Sequence, residues 1–343
     1  MYEDHFGLTA RPFQLTPDPA FWYDSATHSK AMAYLGYGLA QGEGFIVITG
    51  EIGAGKTTLV GHLLETLDRD ALNPIQLVST QVEGDDMLRL TAQALGIDTA
   101  GAAKAQLLAA IERGLHAVAR GGRRTLLIVD EAQSLGASAI EELRMLSNFT
   151  SGGHALLQIV LVGQPEFRDM LAGEGALEQL RQRVIAIHHL EPMEREEIEP
   201  YIAHRLAHVG WKGRPDFTSE AAATLYTASG GIPRLVNQLA GRAMLHASIE
   251  HSDVIDAAMI EAVVADQASD APAAAERPAE PRPVRLHLAP EPTPTHDPAM
   301  AVRLSELEER LREQDAALRR VLELLVDWAE GDARAPAMHG SAA

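Results

Sequence analysis

Phe45-Ile46-Val47-Ile48-Thr49-Gly50-Glu51-Ile52-Gly53-Ala54-Gly55-Lys56-Thr57-Thr58 is a short apolar run followed by the pattern G-x-x-x-x-G-K-[ST]. The apolar run reads as a parallel strand covered on both faces. A helix is expected from Lys56. Between the two, the glycines let backbone N–H groups turn inward around phosphate oxygens. Lys56 brings a cation to the β and γ phosphates, and the Thr57 hydroxyl can bind Mg²⁺. The positive end of the following helix adds to the same attraction. The expected cradle for ATP or ADP is therefore Gly50, Glu51, Ile52, Gly53, Ala54, Gly55, Lys56, Thr57 and Thr58.

Outward from this stretch the alternation repeats. Strands are expected over 75–79, 125–129, 156–162 and 184–187, with helices near 84–95, 102–119, 137–148 and 166–180. Short apolar strands alternating with longer helices indicate a parallel sheet with helices on both faces. Leu126-Leu127-Ile128-Val129-Asp130-Glu131 places two carboxylates at the carboxyl end of a buried strand. Open parallel sheets bind ligands at that end. Asp130 is the expected holder of Mg²⁺ together with Thr57, and Glu131 the group that polarises the attacking water.

Four further positions suit a nucleotide site. The strand ending at Gly163 delivers Gln164 beside the acidic pair, where an amide can touch the γ phosphate or the water. Gly230-Gly231-Ile232-Pro233-Arg234 stops one helix and starts another, and Pro233 suits a first helical turn. Arg234 is thereby presented toward the phosphates from a second domain. Arg181 and Arg183 precede the last strand, and either one can serve the nucleotide of a neighbouring subunit. His204 and His208 are four apart on a helix, a metal-compatible spacing without an evident third ligand.

Before the first strand, residues 1–44 carry Phe6, Pro12, Phe13, Pro17, Pro19, Phe21 and Trp22, which reads as an ordered strap followed by a helix over about 25–40. After Glu191-Pro192 no further strand is expected, and 194–208, 218–228, 233–249 and 253–265 read as helices. Eight of the 18 prolines fall between Pro272 and Pro298, the mark of an extended linker. Beyond it, Leu304, Leu311, Leu318 and Leu325 repeat by seven, with Leu307, Gln314, Val321 and Trp328 as a second seam. That is a heptad pattern suited to a coiled coil or a partner-binding helix. The expected organisation is a strap and α/β P-loop nucleotide-binding domain over 1–192, a small helical lid over 193–266 and a linker over 267–299. A coiled-coil-like helix over 300–329 and a disordered tail over 330–343 complete it.

The chain has 343 residues, 46% hydrophobic and 22% charged, with a formal net charge of -19 and no cysteine. Disulfides, thiolate zinc sites and cysteine nucleophiles are excluded. A strong negative charge argues against DNA or an anionic membrane as a non-specific ligand. The N-terminus lacks the basic and apolar regions of a secretory signal, and no apolar run reaches 18 residues. No transmembrane segment is expected, and the expected location is cytoplasmic, with recruitment to the inner membrane through partners.

Phe6-Gly7-Leu8-Thr9, Pro12 to Pro19, Tyr23, Ser25 and His28 resemble the N-terminal signature of the ExeA-like AAA+ ATPases, also called general secretion pathway protein A. Thr49-Gly50-Glu51, Asp130-Glu131-Ala132-Gln133, Glu142-Leu143-Arg144, Gly163-Gln164-Pro165-Glu166, Arg181-Gln182-Arg183 and Gly231-Ile232-Pro233-Arg234 match as well. The resemblance covers about residues 1–265. Within the group it is similar to the ATPase associated with PEP-CTERM/XrtA exopolysaccharide loci. It implies an oligomeric ATPase serving a cell-envelope machine for secretion or polysaccharide export, with Gln164 as sensor 1 and Arg234 as sensor 2. ExeA-like secretion proteins usually continue into a membrane span and a peptidoglycan-binding region. The linker and heptad tail here favour the polysaccharide-locus relative, with envelope proteins docking on the tail helix. The alternatives are a DNA-binding ATPase similar to transposition-target ATPases, and a nucleotide-gated scaffold with little turnover.

Overall fold

Runs of β-branched residues and leucine form the centre of the structure, a computed structural model that describes residues 2–78, 83–173 and 177–270. The helices are α1 (Tyr2–Phe6), α2 (Ala26–Gln41), α3 (Lys56–Thr66), α4 (Gly84–Ala94), α5 (Lys104–Arg120), α6 (Ala137–Leu146), α7 (Pro165–Ala172) and α8 (Glu178–Arg181), then α9 (Ile198–Ala207), α10 (Ser219–Ser229), α11 (Pro233–Ile249) and α12 (Ala257–Asp270). The strands are β1 (Phe45–Gly50), β2 (Leu72–Val78), β3 (Arg124–Asp130), β4 (Thr150–Ser151), β5 (His154–Ala155), β6 (Leu157–Gly163), β7 (Val184–Leu190), β8 (Asp216–Phe217) and β9 (Val254–Ile255).

Five strands form one parallel sheet in the order β2-β3-β6-β1-β7. β1 and β6 are buried at every position, as strands covered on both faces must be. Successive side chains alternate between the faces. Ile46, Ile48, Leu126, Ile128 and Val160 pack with Leu35 of α2 and Leu59 and Leu63 of α3. Phe45, Val47, Leu127, Val129 and Ile159 pack on the other side with Met87, Ile111, Leu115 and Leu143. Burying each such side chain contributes about 1.5–3 kcal/mol, so the two layers fix the sheet firmly.

The register sets up the site. Thr49 of β1 lies opposite Gly163 of β6, and Leu161 of β6 opposite Val129 of β3. β6 thus sits between β1 and β3, and the three carboxyl ends finish side by side. The loops after Gly50, Asp130 and Gly163 emerge together.

α9 to α12 build a separate apolar cluster around Ile198, Leu206, Leu225, Val236, Ala240 and Ile260. The strap, grouped above with the sheet, buries Phe6, Leu8 and Phe13 in this cluster. Thr9 N donates to Val209 O at 2.9 Å, and Arg205 Nε donates to Pro12 O at 2.6 Å. The helices offer the strap aromatics an open apolar face, and burial there removes both surfaces from water.

The strands do not stop at Pro192. β8 and β9 pair in parallel, with Asp216 N donating to Asp253 O at 2.8 Å and Thr218 N to Ile255 O at 3.0 Å. Burial of Ile255 anchors this pair, and the last helix starts at Ala257 rather than near 253. It runs on to Asp270, past residue 266. The stretch expected to be helical over 166–180 is α7 and α8, with 174–176 between them outside the described residues. β4 and β5 form a small antiparallel pair ahead of β6. The remainder of the linker, the heptad helix over 300–329 and the tail lie outside the described residues. Among the described residues no helix is long and apolar enough to cross a membrane.

Candidate active site

The loop from Glu51 to Gly55 reverses the chain between β1 and α3. Gly53 has φ 88° and Gly55 φ 95°, conformations that side chains with a Cβ rarely take. Space forbids a Cβ as well. At Gly53 it would lie 2.5 Å from Arg234 Cβ, and at Gly55 2.6 Å from His28 Nε2. Gly55 is the N-cap of α3 and supplies no side-chain cap. The first N–H groups of α3 therefore have no intrahelical acceptor, and the helix dipole adds its positive end there. This is the shape and charge that a polyphosphate needs, so the cradle fits ATP or ADP.

Lys56 is buried and arches back over the loop, its Nζ donating to Gly50 O at 2.7 Å and Glu51 O at 2.9 Å. Burial pulls its ammonium below the usual lysine value, and the carboxylates of Glu131 and Asp130 oppose that shift. Asp130 is also buried. Its Oδ1 accepts from Glu131 N at 2.9 Å, and its Oδ2 lies 3.5 Å from Thr57 Oγ1. Burial raises the Asp130 carboxyl above the ordinary aspartate value, countered by the Glu131 N–H, Lys56 and Thr57. A hydroxyl and a carboxylate side by side are hard oxygen ligands, which fit Mg²⁺. Thr58 lies one residue further along α3 and lines the same cavity.

Glu131 adopts φ 56° and ψ 43°, a left-handed conformation rare for a residue with a side chain. Such strain costs about 1–3 kcal/mol and clusters at functional positions. Gln133 Nε2 and Gln164 Nε2 both donate to Glu131 Oε2, the latter at 3.2 Å, and Gln164 N donates to Gln133 Oε1 at 2.9 Å. The sequence alone assigns Gln133 no role. Here it aims Glu131 and clamps the start of α7. One sign was available: an amide two residues past the acidic pair, inside the same turn.

Arg234 sits in the first turn of α11, directly against the phosphate loop, with its N donating to Gly53 O at 3.2 Å. It lines a cavity of about 250 Å³ with Gly53, Lys56, Thr57, Glu131 and Gln164. The strap closes the far end through Leu15, Pro17, Phe21, Trp22 and Tyr23, and the helical cluster adds Tyr201 and Arg205. This apolar end beside a polar cradle was not foreseen from the sequence.

Arg181 and Arg183 are not brought to this cavity. Arg181 Nη1 donates to Ala172 O at 3.3 Å, and Arg183 Nη1 to Ser147 Oγ at 3.2 Å. Arg183 O accepts from Phe45 N at 3.0 Å, which puts these arginines at the amino end of β1. The phosphate loop leaves the other end, roughly 20 Å away for six residues of strand. His204 and His208 pack with Tyr23 and Phe21, and no metal-compatible group of three or more His, Cys, Asp or Glu occurs among the described residues.

A family model described as an AAA domain matches residues 39–171. Over 261 residues the chain is 37% identical to general secretion pathway protein A of Aeromonas hydrophila, covering 74% of this chain and 47% of that protein. The chain thus spans about half the length of that relative. Among solved structures, Cdc6p from Pyrobaculum aerophilum superposes with a TM-score of 0.56 at 14% identity, over 70% of this chain and 68% of that one. The ORC2 protein of Aeropyrum pernix, in ADPNP–ADP complexes, gives 0.53 at 16% identity, over 72% and 71%.

Proposed function

We propose that this chain, which carries a match to an AAA domain and the P-loop fold, hydrolyses Mg²⁺–ATP to drive assembly or regulation of a cell-envelope export system. The observation that carries the site is the meeting of Lys56, Asp130 and the Glu131–Gln164 pair at the ends of three adjacent strands, under Arg234. Lys56 and the N–H groups of the loop bind the phosphates. Thr57 and Asp130 would hold Mg²⁺, which neutralises phosphate charge when bound. Glu131, aimed by Gln133, takes a proton from the attacking water. Gln164 and Arg234 read the γ phosphate, so hydrolysis changes what joins α11 to the sheet. Arg181 or Arg183 serves a neighbouring copy, which requires a homo-oligomer.

The export role rests on the similarity to general secretion pathway protein A. Within it, the exopolysaccharide reading rests on the proline-rich linker and the heptad-bearing sequence that follow the helical cluster. Envelope proteins are the partners proposed for that C-terminal segment. Two variants test the enzyme. Lys56→Ala should lose nucleotide binding. Glu131→Gln should keep ATP yet turn over about 10²–10⁴-fold more slowly, the worth of a positioned general base. Unchanged turnover by Glu131→Gln would remove that residue from its role, and wild-type affinity in Lys56→Ala would refute the site.

A further inference from the structure

Resting on the reading of the cavity as a nucleotide site, we propose that Arg205 is a positioning residue that clamps both ends of the strap loop lining the cavity, and so sets how long a bound nucleotide stays. Arg205 lies on α9 and is buried. Its Nε donates to Pro12 O at 2.6 Å. Its guanidinium carbon stands 4.6 Å from the centre of the Phe21 ring, within the reach of a cation–π contact. Between these two points the strap supplies Gln14, Leu15, Thr16, Pro17 and Asp18, and all five line the cavity. One side chain thus holds the loop where it enters the cavity wall and where it leaves.

The loop is otherwise tied mainly to itself. Gln14 Nε2 donates to Asp18 Oδ2 at 3.0 Å, Ala20 N to Asp18 Oδ1 at 3.0 Å and Phe21 N to Asp18 O at 3.1 Å. Pro19 rests against Gly61 of α3, 2.8 Å from where a Cβ would stand. Among the described residues no hydrogen bond joins 14–20 to the helical cluster or to the sheet.

The arginine is itself aimed. Its Nη1 donates to Tyr201 Oη at 3.1 Å, and Tyr201 Oη donates to Asn237 Oδ1 at 2.9 Å. Asn237 stands on α11, one turn past Arg234, so the clamp is braced on the helix that meets the phosphate loop. No carboxylate pairs with Arg205 among the described residues. Its donors face a carbonyl and a hydroxyl, and its removal strands no buried carboxylate. A loop ordered before the ligand arrives removes that ordering cost from binding. A loop released from Arg205 must be ordered by the nucleotide, and a loss of this kind appears mainly in the dissociation rate.

The experiment follows a fluorescent ADP analogue on the full chain. Titration gives Kd and stopped flow gives both rate constants. KM and kcat for ATP and the thermal midpoint are measured in the same preparations. Arg205→Met removes the guanidinium and keeps an apolar stem. Its dissociation rate and Kd should rise about tenfold or more, the worth of one charge-assisted hydrogen bond. The association rate should stay within about threefold of wild type. KM should rise with Kd while kcat does not fall, because Lys56, Asp130 and Glu131 are untouched. Arg205→Lys keeps the charge but lacks the planar fork that meets carbonyl, hydroxyl and ring together, so it should stay at least about fivefold weaker than wild type. Phe21→Leu releases the other end of the loop. If the arginine acts through that ring, the double variant should speed dissociation by clearly less than the product of the two single effects. A merely structural role would lower the midpoint and the active fraction and leave the dissociation rate of the active fraction alone. Wild-type Kd and dissociation rate in folded Arg205→Met, a lysine variant equal to wild type, or fully multiplicative effects with Phe21→Leu each overturn the inference. Should Arg205→Met not fold, Arg205→Lys and its double variant with Phe21→Leu decide it. Failure of the wild-type chain to bind the analogue would instead overturn the nucleotide reading, and this inference with it.

Discussion

Replacing Gly53 by alanine tests how closely the helical cluster is seated on the phosphate loop. The new Cβ would stand 2.5 Å from Arg234 Cβ, 3.1 Å from Cδ and 3.3 Å from Cγ. Carbon atoms prefer about 3.5–4.0 Å, so the first turn of α11 must retreat by roughly 1 Å or the loop must deform. Overpacking of this kind costs about 1–3 kcal/mol. Gly53 also has φ 88°, and a left-handed conformation costs an L-residue about 1–2 kcal/mol. The sum is about 2–5 kcal/mol, a large part of a typical stability of about 5–15 kcal/mol. Gly96 isolates the backbone part, because its φ is 75° and nothing lies within 4 Å of a Cβ there. Gly96→Ala should cost about 1–2 kcal/mol and leave nucleotide affinity intact. Urea unfolding of both variants then gives the contact energy by difference, about 1–3 kcal/mol. Retreat of α11 also breaks the bond from Arg234 N to Gly53 O, so nucleotide affinity should fall about tenfold or more in Gly53→Ala alone. Arg234→Ala cannot rescue it, because the closest atom is Cβ and alanine keeps that atom. If Gly53→Ala destabilises no more than Gly96→Ala and binds nucleotide as the wild type does, Arg234 is not seated as described.

Burial holds the Asp130 carboxyl above the ordinary value of 3.8, so the folded chain binds that proton more tightly than the unfolded one. The charged form then costs stability at neutral pH, and the cost disappears as pH falls through the folded pKa toward 3.8. Asp130→Asn should therefore raise the thermal midpoint of the nucleotide-free chain at pH 7, with a gain that shrinks toward pH 4, while Mg²⁺-dependent hydrolysis is lost; a lower midpoint at pH 7 sinks this. Arg183→Ala or Arg181→Ala should slow turnover roughly 10³-fold or more if that residue acts on a neighbour, with little change in nucleotide affinity. Mixing the responsible variant with Glu131→Gln should restore part of the activity, because some mixed interfaces carry both intact groups; mixed oligomers without recovered turnover rule out that arginine.

The sheet and most of the candidate site were legible because their signals are local. An apolar run, three glycines and a lysine within fourteen residues specify a strand, a turn and a helix start without reference to the rest of the chain. Asp130, Glu131 and Gln164 follow from the same rule, each standing at or just past the end of a buried strand. What stayed hidden is what depends on distant partners. Arg205 donates to Pro12 O across 193 positions, and Ala26 N to Glu197 across 171, so no periodicity announces that the strap covers the helical cluster. Gln133 was unassigned because its aim depends on the left-handed turn at Glu131, which no residue pattern marks. β8 and β9 are two residues each, too short for alternation to register.

The strap changes what nucleotide exchange would have to move. Its first part is packed into the helical cluster through Phe6, Leu8 and Phe13, yet its continuation, α2, packs on the sheet through Ala31 and Leu35. The stretch between them, which includes Pro17, Phe21, Trp22 and Tyr23, lines the cavity. Proline at 17 and 19 and the short helical turn over Pro19–Phe21 stiffen this stretch, since proline fixes its own φ. A rotation of the cluster against the sheet would therefore not slide past the cavity wall but pull on it from one end. Trp22 resists at the other end through its stack on His62 of α3, the helix that begins with Lys56. Displacement of Arg234 from one side of the phosphates and strain on α3 from the other would then be the same event. In this arrangement the seating of the helical cluster on the phosphate loop and the position of the cavity wall are tied together by contacts within the chain.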